Sequence, residues 1–339
     1  MRKFRNCALV SVTAYALVAA LAAPSARADD KTYVMKITLP TLNDAPHQYG
    51  KNIAARVEKD SGGRIKAEVY PASQLGSIPR QIEGVQFGSI QCVIVPPEFM
   101  VGIDDRFQLM AAPGLVESMP QAERVAADPE VQKLILGLGA NKGLHGAGMF
   151  VALPSAVIAR TPIRHLADFK GKKIRIFASD FQSVGFTRLG ATPVAMSLGD
   201  VLPAIQQGAI DGAIAGMPVF TNMQYQDAAK YVTETGQPYI FIVSELSQKW
   251  LDTLPPDLQK VVETATAEEA KAIEPFAEKV WTDSQKEWVA KGGERIELPP
   301  EDQAAMMETL GSVAEDVASK KPELDAAYKI VAGAAKRDK

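Results

Sequence analysis

Two stretches lying 120 residues apart follow one plan, and a chain that repeats a plan at that spacing is built from two similar halves. Val85-Gln86-Phe87-Gly88-Ser89-Ile90 leads through Gln91 into the apolar run Cys92 to Val95, and Ile205-Gln206-Gln207-Gly208-Ala209-Ile210 leads through Asp211 into Gly212 to Ala215. In each, a helical pattern ends at a glycine, which takes a left-handed cap conformation without steric cost, and the chain then enters a short buried strand. Upstream, Gly63 to Tyr70 and Gly171 to Phe177 extend the match, each a basic, alternating segment after glycine.

The rest of the chain alternates strand-like and helical runs. Tyr33 to Leu39 alternates along Met35, Ile37 and Leu39. Pro46 to Asp60 then places Tyr49, Ile53 and Val57 four apart before Gly62-Gly63 stops it. Ile65 to Tyr70 reads as a strand, Arg80 to Phe87 as a helix, and Ile90 to Val95 as a buried strand of the kind found in parallel sheets. This alternation predicts an α/β fold. From Asp257 to about Ala290 the 3.6-residue period scarcely breaks, which predicts a helix about 50 Å long, more than one lobe's width. Pro275 removes one of its hydrogen bonds, so a kink is expected there, the alternative being two helices joined at Pro275.

The first residues read as an export leader. Arg2, Lys3 and Arg5 precede an apolar stretch from Cys7 to Pro24, and Ala26-Arg27-Ala28 forms a small-x-small site before Asp29, so cleavage is expected after Ala28. Without residues 1–28, 33 Lys and Arg remain against 40 Asp and Glu, a net charge of −7. Such a surface repels phosphate backbones and anionic lipid, arguing against nucleic acid as a partner. No second apolar stretch is long enough to span a bilayer, so an exported protein without direct membrane insertion is expected. Cys92, the one cysteine left after cleavage, allows no internal disulfide and is read as a core residue.

Catalytic and cofactor signatures are missing from the sequence. His47, His145 and His165 form no metal-spaced pair, there is no Cys-x-x-Cys, and neither a Gly-x-Ser-x-Gly elbow nor a phosphate-binding glycine loop is present. Neither catalysis nor a cofactor or metal is expected. Lys173 to Phe177, read as a strand, turns Ile174 and Ile176 one way and Lys173, Arg175 and Phe177 the other. An arginine beside aromatic surface at a strand end, with a helix starting near Asp180, suits a bidentate pair with a carboxylate, although a solvated or ion-paired arginine reads the same way. Glu98 and Phe99 follow the Cys92 to Val95 strand, at the end where α/β sheets bind ligands.

From about Tyr33 through Gly292 the chain resembles the solute-binding subunits of tripartite ATP-independent periplasmic (TRAP) transporters. The residues that carry the likeness are Ser61-Gly62-Gly63-Arg64-Ile65, Tyr70-Pro71-Ala72-Ser73-Gln74-Leu75-Gly76, Gly171-Lys172-Lys173-Ile174-Arg175, Leu189-Gly190-Ala191-Thr192-Pro193, Ala209-Ile210-Asp211-Gly212 and Leu254-Pro255-Pro256-Asp257-Leu258-Gln259. The resemblance implies an α/β, two-lobed periplasmic binding protein fold with a long kinked helix spanning both lobes. It also implies a non-enzymatic role: capture of an organic acid and delivery to a TRAP-type membrane permease for ion-coupled uptake. The lobes are placed at 29–152 with 241–280 and at 153–240 with 281–339. A periplasmic sensor feeding a histidine kinase, or an exported hydrolase or isomerase, are the competing readings.

By position, the resemblance gives Arg175 the ligand carboxylate. Members that bind sialic acid carry an asparagine where this chain has Ala215, an acidic contact at Pro96 and a second arginine near Leu153 and Pro154. A polyhydroxylated sugar acid is therefore not expected here. Phe177, Leu198, Ala215, Met217 and Phe220 are expected around an apolar cleft, with His47, at the start of the first helix, as a further lining candidate.

Overall fold

Alternation in β1 (Tyr33–Thr38) buries Met35 and Ile37 on one face, and the next helix, Ala45–Asp60, buries Tyr49, Ile53 and Val57 against it. The computed structural model describes residues 31–337; the leader expected over 1–28, with its cut after Ala28, lies outside them. After β1 the described strands are β2 (Ile65–Tyr70), β3 (Cys92–Val95), β4 (Leu144–Pro154), β5 (Ala156–Ala159), β6 (Lys173–Ile176), β7 (Thr192–Ala195), β8 (Gly212–Ala215), β9 (Tyr231–Glu234), β10 (Tyr239–Ser247) and β11 (Glu294–Glu297). They form a five-stranded sheet, β2-β1-β3-β10-β4, and a six-stranded sheet, β11-β9-β5-β8-β6-β7.

The two sheets share one topology. β1 lies between β2 and β3, parallel to both, and β6 lies between β7 and β8, parallel to both. β3 and β8 then each meet an antiparallel strand, β10 and β5. Gly88 and Gly208, the glycines of the repeat, have φ of 82° and 72°. The upstream half of the repeat does not hold: β2 is an edge strand, whereas β6 occupies the position of β1. A turn glycine followed by an alternating strand encodes one buried face, not the strand's neighbours, which is why the two segments looked equivalent.

The chain passes between the sheets at Ser155, between Glu234 and Tyr239, and at Ile273. The first two crossings are joined by hydrogen bonds, Ser155 N to Pro238 O at 3.0 Å and Ser155 Oγ to Gln237 O at 2.7 Å. In place of one bent helix there are two 17-residue helices, Pro256–Ala272 and Glu274–Ala290, meeting at Ile273. Ile273 keeps helical dihedrals, φ −80° and ψ −19°, but Pro275 has no N–H to give Lys271 and its ring crowds that carbonyl, so the ladder stops. The first helix packs on Ala45–Asp60 and β4, the second on the helix Met217–Asn222 and β11. The kinked pair therefore bridges both halves.

The last helix, Pro322–Arg337, which the sequence reading assigned with 281–339 to the second lobe, packs on Met119–Ala127 and Pro129–Leu136 beside β4. Gln121 Nε2 donates to Ala335 O at 2.8 Å and Arg337 pairs with Asp128 at 2.6 Å. No described helix is long and apolar enough to cross a membrane.

Buried side chains divide by sheet face, not by half. One cluster takes Val93, Val151, Ala213 and Val243, the other Ile37, Cys92, Ile174, Ile214 and Ile242. Cys92 is fully buried, as expected of a core residue. Tyr49 ties three elements together: its hydroxyl donates to Thr266 O at 2.8 Å and lies 2.9 Å from Ser244 Oγ. Gly148 makes the room, since a Cβ there would sit 2.4 Å from Tyr49 Oη. Tyr49→Phe removes two buried hydrogen bonds, each worth about 0.5–1.5 kcal/mol, and is expected to cost about 1–3 kcal/mol of stability, read from urea unfolding.

Candidate functional site

Four parallel strands, β1 and β3 in one sheet and β6 and β8 in the other, end at a single cleft, the place where α/β sheets take ligands. It encloses about 600 Å³ of empty space, counting its opening to solvent. Pro40 and Thr41 follow β1, Pro96 and Phe99 follow β3, Phe177 follows β6, and Gly216, Pro218 and Val219 follow β8. Of its twenty lining residues only Thr41, Asp44 and Arg175 have polar side chains.

Arg175 is 1% exposed. Its neighbours across β6 are Val194 of β7 and Ala213 of β8, and its side chain reaches past both toward the strand ends. Nε donates to Met196 O at 2.9 Å and Nη1 to Ile214 O at 3.1 Å, while Nη2 has no partner. Of the five N–H donors of a guanidinium, three are thus uncommitted, two on Nη2 and one on Nη1, which is the fork a carboxylate accepts bidentately. The Phe177 ring lies 4.9 Å and the Phe99 ring 5.7 Å from Cζ, and the two rings are 5.2 Å apart. Burial pulls the Arg175 pKa from 12.5 to about 10, so the group stays cationic at neutral pH.

Among the sequence candidates, Arg175, Phe177, Leu198, Ala215 and Phe99 line the cleft. Met217, Phe220, Glu98 and His47 do not. Successive residues of the helix Met217–Asn222 point about 100° apart, so Pro218 and Val219 face the cleft. Met217 instead borders a separate hollow with Tyr239 and Trp281, and Phe220 packs on Tyr225 with ring centroids 5.6 Å apart. The 3₁₀ turn Pro97–Met100 likewise turns Phe99 to the cleft and Glu98 into the core, where Glu98 is 1% exposed. His47 is held beside its own helix start, Nδ1 accepting from Asn43 N at 3.0 Å, and burial lowers its pKa.

Sequence reasoning missed Thr41 and Asp44. Asp44 is the N-cap of Ala45–Asp60, accepting from His47 N at 3.1 Å, and Asp44-Ala45-Pro46 is a capping pattern that could have revealed it. Burial raises its carboxyl to about 6, opposed by the Thr41 hydroxyl and by backbone N–H groups.

Glu98 offers a measurable consequence of burial, which lifts its pKa from 4.5 to about 8. Between those values the folded chain holds a proton that the unfolded chain has released, so this group's contribution to stability falls as pH rises through the window. Glu98→Gln removes that dependence. Its Tm relative to the parent is expected to be higher at pH 8.5 than at pH 5, by at least about 3 °C in calorimetric scans.

The family model described as bacterial extracellular solute-binding protein, family 7, matches residues 39–321. An uncharacterized protein, YiiZ, of Salmonella typhimurium is 30% identical over 244 residues, covering 71% of each chain. The C4-dicarboxylate-binding periplasmic protein DctP of Rhodobacter capsulatus is 26% identical over 322 residues, covering 92% of this chain and 93% of that one. The crystal structure of a TRAP periplasmic solute-binding protein from Desulfovibrio salexigens with bound orotic acid superposes with a TM-score of 0.82 at 22% identity, covering 90% of this chain and all of that one, which shows the same two-lobed fold.

Proposed function

Since this chain belongs to the bacterial extracellular solute-binding proteins, family 7, we propose that it is the capture subunit of a TRAP-type uptake system, closing on a small organic acid whose carboxylate is held by Arg175. The observation that carries this reading is a buried guanidinium with unspent donors at the end of an otherwise apolar cleft. A charge taken out of water without a partner costs several kcal/mol, and a carboxylate arriving on the Nη1/Nη2 fork offsets that cost. Phe99, Phe177, Leu198 and Ala215 then enclose the body of the acid.

In this reading the protein works in the periplasm after cleavage behind Ala28 and performs no chemistry on its ligand. One lobe carries the five-stranded sheet and the other the six-stranded sheet, and binding between them shifts an open-to-closed equilibrium that the permease senses. The relatives support an acid ligand, since the Rhodobacter protein is named for C4-dicarboxylates and the Desulfovibrio structure holds orotic acid.

A thermal-shift screen against aromatic, branched-chain 2-oxo, hydroxy, dicarboxylic and sugar acids tests this. A micromolar ligand at millimolar concentration contributes about 4 kcal/mol and raises Tm visibly. Arg175→Met is expected to abolish that shift while the ligand-free Tm stays level or rises, because the variant no longer buries an unpaired charge. Arg175→Ala is expected to weaken binding by about 2–5 kcal/mol. Undiminished binding by both variants would remove Arg175 from the site.

A further inference from the structure

The polar groups of the cleft stand at two poles. Arg175 forms one, in the six-stranded sheet. The other belongs to the segment between β1 and the helix Ala45–Asp60, which contributes Thr41 and Asp44. Thr41 is 9% exposed, and its Oγ1, close enough to Asp44 to hold that carboxyl's pKa down, makes no well-formed hydrogen bond. Asp44 is 4% exposed, and its capping bond engages Oδ1. No salt bridge joins Arg175 and Asp44: the guanidinium donates to Met196 O and Ile214 O, and the Asp44 carboxylate accepts from His47 N. Apolar wall from Phe99, Phe177, Leu198 and Ile240 completes the cleft around them. Asn222 Nδ2, from the six-stranded half, donates to Asn43 O at 2.7 Å and so ties this segment to the opposite lobe.

A carboxylate and a guanidinium ask opposite things of a ligand. The guanidinium donates to a carboxylate, whereas Asp44 accepts from a donor, and a second carboxylate beside it would meet a like charge where water is scarce. A C–H at that place would leave a desolvated carboxylate and the Thr41 hydroxyl with bonds unmade. We propose that the cleft selects a monocarboxylate whose otherwise apolar body carries one hydrogen-bond donor away from the carboxylate, a hydroxyl or ring N–H given to Asp44 and Thr41, and that Asp44 rejects dicarboxylates. This inference rests on the capture reading above and narrows its ligand class. Asp44 and Thr41 are its specificity-determining residues. The lifted Asp44 pKa agrees, marking a carboxyl that has lost water without gaining a cation.

Titration calorimetry of the purified protein at pH 7.5 tests it with two matched series: benzoate, the three hydroxybenzoates and the three benzenedicarboxylates; and hexanoate, 6-hydroxyhexanoate and adipate. The expected result is that a hydroxylated member binds at least about tenfold tighter than its unsubstituted parent acid, a difference of about 1.4 kcal/mol, and that the diacids bind more weakly than that parent. Asp44→Asn keeps a good N-cap residue, so the helix retains its start while the charge is lost. In that variant the hydroxyl preference is expected to fall below about threefold and the diacids to gain on the monoacids. Thr41→Val is expected to reduce the same preference partially.

A hydroxyl preference that Asp44→Asn leaves intact, the lack of any such preference in both series, or a diacid that binds tightest to the parent protein would each overturn the inference. If acids bind through Arg175 without a hydroxyl preference, the capture reading stands and only the narrower class falls. If no acid of either series or of the wider screen binds, both fall.

Discussion

A guanidinium held 1% exposed, with no acidic partner among the described residues, is the condition around which this fold is arranged. Such a charge persists in a folded interior only where its surroundings over-determine it. Two carbonyls from flanking strands fix its Nε and Nη1, and two aromatic faces lie beside its Cζ. Ile214 O lies in β8 and Met196 O just past the end of β7, and both come within reach because β6 is an internal strand, parallel to β7 on one side and to β8 on the other. An edge strand would have offered one neighbour and an open flank to water. The duplicated topology thus does more than enlarge the core: it provides an internal strand whose end faces the other sheet across the cleft.

The same duplication brings two halves to one cleft. Strand ends from both sheets converge on the cleft, and the chain joins the sheets at three narrow places, Ser155, the segment after Glu234 and Ile273. Two of these are hydrogen-bonded together, and the third is a break in a helical ladder imposed by a proline ring. Narrow crossings put few backbone dihedrals between the two sheets, which is the arrangement that hinge motion uses. The terminal helix Pro322–Arg337 runs against this division, returning from the second half to clasp the first through Gln121 and Asp128.

Much of the fold was legible because periodicity reports burial directly. Ile65–Tyr70 and Gly212–Ala215 are strands at the limits the sequence suggests, and Gly88 and Gly208 cap helices with positive φ as their patterns require. The matching of β2 to β6 failed because one-faced alternation says nothing about which strand lies alongside. Of the residues expected at the cleft, Arg175, Phe177, Leu198, Ala215 and Phe99 line it, the arginine singled out through a motif and the others through strand ends. Met217, Phe220 and Glu98 do not line the cleft for a common reason: each sits in a short helix or 3₁₀ turn, where a shift of one residue rotates the side chain by 100° or more.

The local sequence, then, determined which segments are strands and helices, that they form two related α/β halves, and that one arginine stands on an inward face. Those are matters of hydrophobic period, cap residues and charge, all encoded within a few neighbours along the chain. Tertiary structure alone decided that Thr41 and Asp44, more than 130 residues before Arg175, share its cleft, and that Glu98 lies buried away from it. It also decided that three guanidinium donors remain unspent, because the commitment of a donor depends on which carbonyls the assembled sheet brings within reach, and no spacing along the chain specifies that.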